Sequence, residues 1–357
     1  MKKSRAAANP ARLFSFYQYL TIPIPMKTQA ILLASRPTGE PTAAQFQFET
    51  REVPAPGAGQ VLLKTRFVSV DPYMRGRMSA AKSYVAPFEV GQPIAGGVVA
   101  EVIESQSDAL PVGSTVVGNL PWQEFSVADA KTLNLIPVDK APASYFLGLL
   151  GMPGLTAYFG LLDICQPKAG ETVVVSGAAG AVGLIVGQLA KTQGCRVIGT
   201  AGSDEKVAHL KALGFDEAIN YKTTPDIAQA LAAAAPNGVD CYFDNVGGAI
   251  TDAVYDLLNK HARIAVCGQI STYNATEIPT GPRPEGKLLK TSTKLQGFIV
   301  SDYYSRWPEG VAKLTEWYAA GQLKGEETIT EGFDQIPSAF LGLFKGDNTG
   351  KAVVKVA

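Results

Sequence analysis

The stretch from Glu171 to Gly183, ETVVVSGAAGAVG, constrains the fold of this chain more than any other. Its β-branched run, Thr172 to Val175, has the composition of a strand that is buried on both faces. A glycine-rich turn follows this run and leads directly into the apolar residues Leu184 to Ala190. The stretch therefore predicts a strand, a tight turn and the start of a helix.

Three glycines in this turn, Gly177, Gly180 and Gly183, have the spacing of a phosphate-binding turn. One allows a sharp turn, one lets the backbone approach a pyrophosphate, and one lets the helix pack closely on its strand. The N–H groups and the dipole at the helix start favour an anion. Ala178 replaces the first glycine of the commonest fingerprint, and close strand–helix packing alone is the alternative explanation. The residues predicted to hold a dinucleotide here are Ala178, Ala179, Gly180, Ala181, Val182 and Gly183.

The charge balance argues against a nucleic-acid partner. Lys plus Arg and Asp plus Glu each total 32, so no net field favours nucleic acid or an anionic membrane. No apolar run reaches the roughly 20 residues that cross a bilayer, so no membrane span is predicted. The hydrophobic content of 46% is ample for a buried core in each of about two domains.

The four cysteines indicate a reducing compartment rather than a metal site. Cys165, Cys195, Cys241 and Cys267 form no C-x-x-C pair, and the chain has only two histidines. A Cys/His metal site is therefore not predicted. We interpret the cysteines as buried thiols and predict a cytoplasmic location.

The residues before Met26 differ from the rest of the chain. They are basic, contain no acid, and lack the continuous apolar core and small-residue cleavage site of a secretory signal. We interpret residues 1–26 as an N-terminal extension that is disordered on its composition, with organelle targeting as the alternative. Whether Met1 or Met26 is the true start stays open.

The remaining chain divides into a β-rich part and an α/β part. Short β runs broken by glycine and proline fill residues 28–137, which predicts a compact β-rich domain, a small barrel. Between Ser144 and Leu162 the apolar spacing becomes that of helices. We therefore predict a β-rich substrate domain over residues 27–150, completed by residues 325–357, and a dinucleotide-binding domain over residues 151–324. The β-branched tail, Gly350 to Val356, is predicted to be a strand that returns to the first domain.

Strands and helices alternate beyond the glycine-rich turn, which predicts an α/β fold with a doubly wound parallel (Rossmann) sheet. Ligands of such a sheet bind outside the carboxyl ends of its strands. Polar or glycine-rich segments lie there at Thr200 to Ser203, Asn245 to Gly248 and Gly268 to Asn274. The other predicted strands are Arg196 to Thr200, Glu217 to Tyr221, Val239 to Asp244, Arg263 to Val266 and Lys294 to Val300, with a helix from Ile250 to Asn259.

The end of the second strand favours NADP over NAD. NAD-binding folds place an acid there for the ribose hydroxyls, whereas this strand ends Thr200-Ala201-Gly202-Ser203. These small residues, with Lys206 after them, leave room and a positive charge for a 2′-phosphate. A solvated lysine in the first turn of a helix is the alternative for Lys206.

Several long motifs in this order give a specific resemblance. They are VDPYMRGRM (70–78), LGMPGLTAY (150–158), SGAAGAVG, FDNVGG (243–248), CGQISTYNAT (267–276), LQGFIV (295–300) and KGDNTGK (345–351). The chain from about Lys27 onward resembles the zinc-independent medium-chain dehydrogenase/reductases, in the branch of the prostaglandin and leukotriene reductases and of NADPH-dependent curcumin reductase. The resemblance implies a Rossmann domain with a β-rich, GroES-like barrel. It also implies NADPH-dependent reduction of the carbon–carbon double bond of α,β-unsaturated ketones and aldehydes, and a homodimer.

The resemblance also implies a set of cofactor contacts. The 2′-phosphate side of NADPH would be held by Lys206 and Tyr221, together with Ser203 at the strand end. Two further groups would line the rest of the cofactor. These are Asn245, Cys267, Gly268, Gln269, Ile270, Ser271, Thr272 and Tyr273, and Phe298, Ile299, Val300 and Asn348.

The chemistry predicted for this site depends on phenols rather than on zinc. The alcohol dehydrogenases of the superfamily have a Cys in the region of Asp71 and a Gly-His-Glu motif in the region of residues 92–97, and this chain has neither. Hydrogen bonds must therefore polarise the substrate carbonyl. Tyr273 and Tyr73 are the candidate donors to the developing enolate. For Tyr73 the alternative is an aromatic that covers a domain seam, and Tyr273 is equally able to bind a cofactor ribose.

Two other functions stay open at this stage. One is a quinone reductase of the same superfamily, which would use the same cofactor site. The other is a non-catalytic NADPH-binding protein. The predicted homodimer would form through the edge of the sheet at Leu295 to Val300, because this apolar strand would otherwise leave backbone groups unpaired.

Overall fold

The computed structural model describes residues 26–356. The predictions for residues 1–25 of the N-terminal extension lie outside the described residues, whereas Met26, the last residue assigned to it, begins the first strand. The described chain forms a two-domain fold with a six-stranded parallel sheet and a seven-stranded sheet in a β-rich domain. The predicted fold class is thus confirmed, whereas the domain limits at residues 150 and 324 stay a prediction.

The β-rich domain is built largely from antiparallel strands. A β1–β2 hairpin packs beside a sheet of order β14-β15-β3-β4-β5-β7, in which β6 also pairs with β3. The C-terminal strand β15 pairs antiparallel with β3 and parallel with β14. The elements are β1 (Met26–Leu33), β2 (Phe46–Val53), β3 (Gln60–Ser69), α1 (Met74–Arg77), β4 (Ala95–Ser105), β5 (Thr115–Pro121), β6 (Phe125–Asp129), β7 (Asn134–Leu135), β14 (Glu327–Glu331), α9 (Ile336–Lys345) and β15 (Lys351–Lys355).

The other sheet is parallel throughout, with strand order β10-β9-β8-β11-β12-β13. Its centre is β8, whose four residues are all buried, as their β-branched composition predicts. The elements are α2 (Met152–Phe159), β8 (Thr172–Val175), α3 (Gly183–Thr192), β9 (Arg196–Ala201), α4 (Asp204–Ala212), β10 (Glu217–Asn220), α5 (Ile227–Ala234), β11 (Val239–Asp244), α6 (Gly248–Tyr255), β12 (Leu258–Val266), α7 (Glu285–Thr291), β13 (Lys294–Gly297) and α8 (Trp307–Ala319).

Three predicted elements are wrong in their extent, and one of them is β12, which begins at Leu258 instead of the predicted Arg263. The helix predicted to reach Asn259 ends at Tyr255, because β12 already begins at Leu258. The register between β11 and β12 shifts near this start, and His261 has a positive φ of 66°. The first half of β12 therefore lacks the regular alternation by which a sequence indicates the start of a strand.

The sixth strand is also shorter than predicted. It ends at Gly297 instead of Val300, and a 3₁₀ helix begins at Val300. The ring of Phe298 turns inward instead of continuing the strand. It packs where a side chain on Gly160 would stand, since a Cβ there would lie 2.5 Å from the Phe298 ring.

Within residues 26–356, none of the helices is both long and apolar enough to cross a membrane.

Candidate active site

The carboxyl ends of the parallel strands bring the predicted cofactor segments to one edge of the sheet. Because β8, β9, β11, β12 and β13 all run in the same direction, the loops that follow them share that edge. The site residues predicted in those loops therefore lie on one side of the molecule. Each loop is held by identifiable contacts.

The glycine-rich turn is packed so tightly that larger residues would not fit. Gly177 has a positive φ of 58°. A Cβ on Gly183 would lie 2.4 Å from the carbonyl oxygen of Gly177, and one on Gly180 would lie 3.3 Å from it. The amide of Ala178 donates to the Thr200 carbonyl at 2.9 Å, and its methyl group is fully buried. The turn thus leaves its backbone and the start of α3 open to an anion, which fits a pyrophosphate.

The loop after β11 is held by the buried carboxylate of Asp244. Its Oδ1 accepts from Ser176 Oγ at 2.9 Å and from the amides of Val246 and Gly247 at 3.0 and 2.9 Å. Thr251 Oγ1 donates to Oδ2 at 2.8 Å. Sequence reasoning did not single out Asp244 or Ser176. This network fixes Asn245, whose side-chain amide donates to the Ser176 carbonyl at 2.8 Å.

The segment from Cys267 to Tyr273 packs on that loop. The amides of Cys267 and Gly268 both donate to the Asp244 carbonyl, at 2.8 and 3.0 Å, and the Ser271 amide donates to Val246 at 3.1 Å. The Tyr273 hydroxyl accepts from the Gln269 amide at 3.2 Å. Burial raises the pKa of Tyr273, so its phenol keeps its proton at neutral pH. Gln269, Ile270 and Thr272 belong to the same turn, and Ile270 to Thr272 form its 3₁₀ helix.

A basic cluster lies beyond the end of β9. Ser203 caps α4 by accepting from the Lys206 amide at 3.3 Å, and Lys206 Nζ donates to the Gly346 carbonyl at 2.7 Å. Burial lowers the pKa of Lys206, and the charge of Lys222 lowers it further. A Cβ on Gly202 would lie 3.0 Å from the Tyr221 hydroxyl and 3.2 Å from Lys222 Cε.

This cluster therefore joins Lys206 and Tyr221, which were predicted, to Lys222, which was not. The charge of Lys222 lowers the pKa of Lys206, and a bound anion would offset this repulsion. The Asp204 carboxylate is turned away to Asn220, whose amide donates to it at 2.7 Å. The cluster fits a 2′-phosphate.

Three phenols come together where the two domains meet. Burial is the largest cause of the raised pKa of Tyr73, and the partial burial of Tyr84, which leaves its side chain 62% exposed, raises the pKa of Tyr84. A negative charge on Tyr84 would raise the pKa of Tyr73 further, and one on Tyr273 would raise that of Tyr84. The predicted candidates Tyr73 and Tyr273 thus share one region with Tyr84. Tyr84 was missed because its loop, Ser79 to Phe88, carries no pattern that separates it from an ordinary exposed tyrosine.

Arg75 ties the two domains together beside these phenols. It is buried, its Nε donates to Asn274 Oδ1 at 3.0 Å, and its Nη2 donates to the Gly39 carbonyl at 2.7 Å. Burial lowers its pKa. Arg75 follows Tyr73 by two residues and Asn274 follows Tyr273 directly. One guanidinium therefore fixes the distance between the two predicted phenols.

The last predicted cofactor residues lie at the rim. Phe298 directs its ring into the core, 6.2 Å from the ring of Phe243, and its amide donates to the Val266 carbonyl at 3.4 Å. Ile299 and Val300 follow in the turn into the 3₁₀ helix. The Asn348 amide donates to the Gly350 carbonyl at 2.7 Å, beside the glycine-rich turn. Among residues 26–356, no three His, Cys, Asp or Glu side chains come together to hold a metal ion.

The fold combines a doubly wound sheet, a glycine-rich turn and a β-rich domain, with three phenols between the domains. This combination is typical of nucleotide-dependent oxidoreductases. Comparison with protein families agrees with this class. A model described as the N-terminal domain of oxidoreductase matches residues 29–136, and one described as zinc-binding dehydrogenase matches residues 181–317.

Individual relatives are similar over nearly the whole chain. The putative NADP-dependent oxidoreductase YfmJ of Bacillus subtilis is 60% identical over 332 residues, which cover 92% of this chain and 98% of the relative. Prostaglandin reductase 1 of Rattus norvegicus is 49% identical over 89% of this chain and 95% of its own. The crystal structure of CurA in complex with NADPH from Vibrio vulnificus has a TM-score of 0.88 at 46% identity, and covers 92% of this chain and 99% of its own. This chain belongs to the medium-chain dehydrogenase/reductases, in the branch that contains the prostaglandin and curcumin reductases.

Proposed function

We propose that this chain is an NADPH-dependent reductase of the carbon–carbon double bond of α,β-unsaturated ketones and aldehydes. The convergence of Tyr73, Tyr84 and Tyr273 carries the proposal, because protonated phenols beside a cofactor edge are suited to a developing enolate oxygen. Similarity to prostaglandin reductase 1 and to NADPH-bound CurA supports the cofactor and the substrate class. Four free cysteines fit a reducing compartment, and a cytoplasmic location is part of the proposal.

The described residues fit NADPH in two places. The glycine-rich turn offers backbone without side chains in the way, and Lys206, Lys222 and Tyr221 offer donors to a 2′-phosphate. The rest of the cofactor would be lined by the loops that contain Asn245, Cys267 to Tyr273, Phe298 to Val300 and Asn348. Bound NADPH supplies a hydride to the β-carbon of the substrate.

The chain itself stabilises the charge that then grows on the substrate carbonyl. Tyr273 keeps its proton because burial raises its pKa, so its phenol is able to donate to the enolate oxygen. Its oxygen is held by the Gln269 amide, which leaves the phenolic hydrogen free to donate. Tyr84 is 62% exposed and reaches the same region from the β-rich domain, so it is placed to meet the substrate.

A panel of enones, enals and quinones, followed by NADPH absorbance, tests the proposal. Enone and enal turnover that clearly exceeds quinone turnover supports it. Comparable or faster quinone turnover favours a quinone reductase. Tight NADPH binding without turnover of any acceptor favours a non-catalytic binding protein.

We expect this activity to be independent of metal. Asp71 is in the region where zinc-dependent relatives have a cysteine, and it is engaged by Lys351 at 3.2 Å. The other oxygen of this carboxylate accepts from the Ser69 hydroxyl, so both oxygens already have partners within the protein. Prolonged dialysis against a chelator is expected to leave turnover unchanged. Loss of turnover that zinc then restores contradicts this expectation.

We also propose that the chain is a homodimer formed through β13. This strand lies at the edge of the parallel sheet, and Leu295 on it is 41% exposed. Leu289 in the preceding helix is also exposed, at 81%. Light scattering is expected to give twice 37.7 kDa for the chain.

Leu295→Asp is expected to shift this mass to that of a monomer, because a charge would face the pairing strand. Leu135→Asp is the matched control. Leu135 is 61% exposed, but it lies on β7 at an edge of the other sheet. A wild-type monomer, or equal effects of the two substitutions, contradicts the proposed interface.

A further inference from the structure

The first two residues of the C-terminal tail contact both halves of the candidate active site. The Gly350 amide donates to the Ala179 carbonyl at 2.8 Å, and Gly350 also forms a bridge with Gly180 in the glycine-rich turn. The next residue, Lys351, contacts the loop that leads to Tyr73. A Cβ on Gly350 would lie 2.1 Å from the Glu326 carbonyl oxygen, so only glycine fits at this position.

The ammonium group of Lys351 is buried, and each of its three protons has an acceptor. The residue is 3% exposed, and its Nζ donates to the carbonyls of Val70 and Ala352 at 2.8 and 2.7 Å. The third partner is Asp71 Oδ1 at 3.2 Å. An ammonium has three protons, and each has an acceptor here. The other carboxylate oxygen of Asp71 accepts from Ser69 Oγ.

These contacts fix the start of the turn that carries Tyr73. The Met74 amide donates to the Asp71 carbonyl at 3.1 Å, and the Gly76 amide donates to the Tyr73 carbonyl at 3.0 Å. The position of Val70 and Asp71 therefore determines where this turn begins. Lys351 links Val70 and Asp71 to Gly350, the residue before it, alongside the pairing of β15 with β3.

A buried ion pair is a poor source of stability, because desolvation of both charges offsets their attraction and apolar residues often replace such a pair without loss. The hydrogen bonds that Lys351 donates to backbone carbonyls do specify the local backbone geometry. We propose that Lys351 is a positioning residue, which holds the Tyr73 turn at a fixed distance from the cofactor turn. The proposal rests on the enone reductase function proposed above.

Four variants test this role. Lys351→Met removes the three donated bonds and keeps most of the apolar stem. Asp71→Asn removes the opposite charge, and the double variant removes both charges. Lys355→Met is the matched control on the same strand, since Lys355 is an exposed residue that pairs with Glu331.

Single-turnover hydride transfer separates positioning from charge balance. We expect Lys351→Met and the double variant to be slowed about tenfold or more, because small misplacements of reacting groups are costly. The rate of hydride transfer is expected to fall far less in Asp71→Asn, and to equal the wild-type rate in Lys355→Met. If Lys351 only neutralises Asp71, the charge-balanced double variant regains the wild-type rate, and that result overturns the proposal. Should Lys351→Met fail to fold, the comparison of Asp71→Asn with the double variant still decides between positioning and charge balance.

Hydrogen exchange of the protein without NADPH gives a second readout. The amides of Met74, Arg75 and Gly76 are expected to exchange faster in both variants that lack Lys351, while those of β8 and β11 stay unchanged. Unchanged exchange in the Tyr73 turn overturns the proposal, as does a uniform increase in all elements. A wild-type chain that reduces no enone contradicts the proposed function instead. The exchange measurement does not depend on turnover, so it tests the position of the Tyr73 turn separately.

Discussion

NADPH affinity is expected to fall about 100-fold or more in a Lys206→Ala/Lys222→Ala variant, while NADH affinity barely changes. A hydrogen bond to a charged group contributes about 1.5 to 3 kcal/mol, so losing two of them costs about 3 kcal/mol or more. Each 1.4 kcal/mol corresponds to about tenfold in affinity. Only NADPH has the 2′-phosphate that this cluster is proposed to hold. Calorimetric titration with each cofactor measures the difference.

The single variants show how the two lysines share this role. Lys206→Ala alone is expected to cost about 1 to 3 kcal/mol in NADPH binding. Lys211→Ala is the control, because Lys211 lies on the same helix and pairs with Glu217 at 3.2 Å, away from the cluster. Equal losses for NADPH and NADH would show that the lysines support the fold of this edge rather than bind the phosphate.

Sequence reasoning succeeded where one local pattern dictates one structure. The glycine spacing after a β-branched run leaves few alternatives, because a strand buried on both faces needs such residues and a close helix needs glycine. The alternation of strands and helices likewise predicted the parallel sheet, which the structure confirms. The extents of α6 and β13 were missed. Their limits depend on a register shift beside β11 and on the packing of Phe298 over Gly160, and neither is a local property.

The candidate site was predictable only in part for the same reason. The loops after the parallel strands could be placed at one edge because the fold itself brings them together. Lys222 and Tyr84 come to the site through tertiary packing and have no distinctive neighbours in the sequence. Lys351 was part of a quoted motif, but its burial beside Asp71 depends on the return of β15 to β3, which places residues 281 positions apart in contact.

The rate of hydride transfer is expected to fall about 10²- to 10³-fold in Tyr273→Phe if nothing replaces the lost donor, and at least about tenfold if a neighbour partly compensates. Tyr84 shares the region of Tyr273 and is the neighbour best placed to do so. The Gln269 amide loses an acceptor in this variant, but Gln269 is exposed, so water is able to replace it. The fold and NADPH affinity should therefore be largely kept.

Single-turnover NADPH oxidation and a melting curve, measured together, distinguish a catalytic phenol from a structural one. A structural Tyr273 would lower the melting temperature and leave hydride transfer in the folded protein near normal, which would remove it from the mechanism. Tyr304→Phe is the control, since Tyr304 is 68% exposed and packs on Trp307.

The pH dependence provides an independent check on the same phenol. Burial raises the pKa of Tyr273 above its ordinary value of about 10, so the donor is present at neutral pH and is lost only as the pH rises through that raised value. Wild-type hydride transfer should consequently show no alkaline loss from this group below about pH 10. A loss near pH 8 that disappears in Tyr273→Phe would mean that the phenol ionises far earlier than its burial allows, and that it acts in another protonation state than the one proposed.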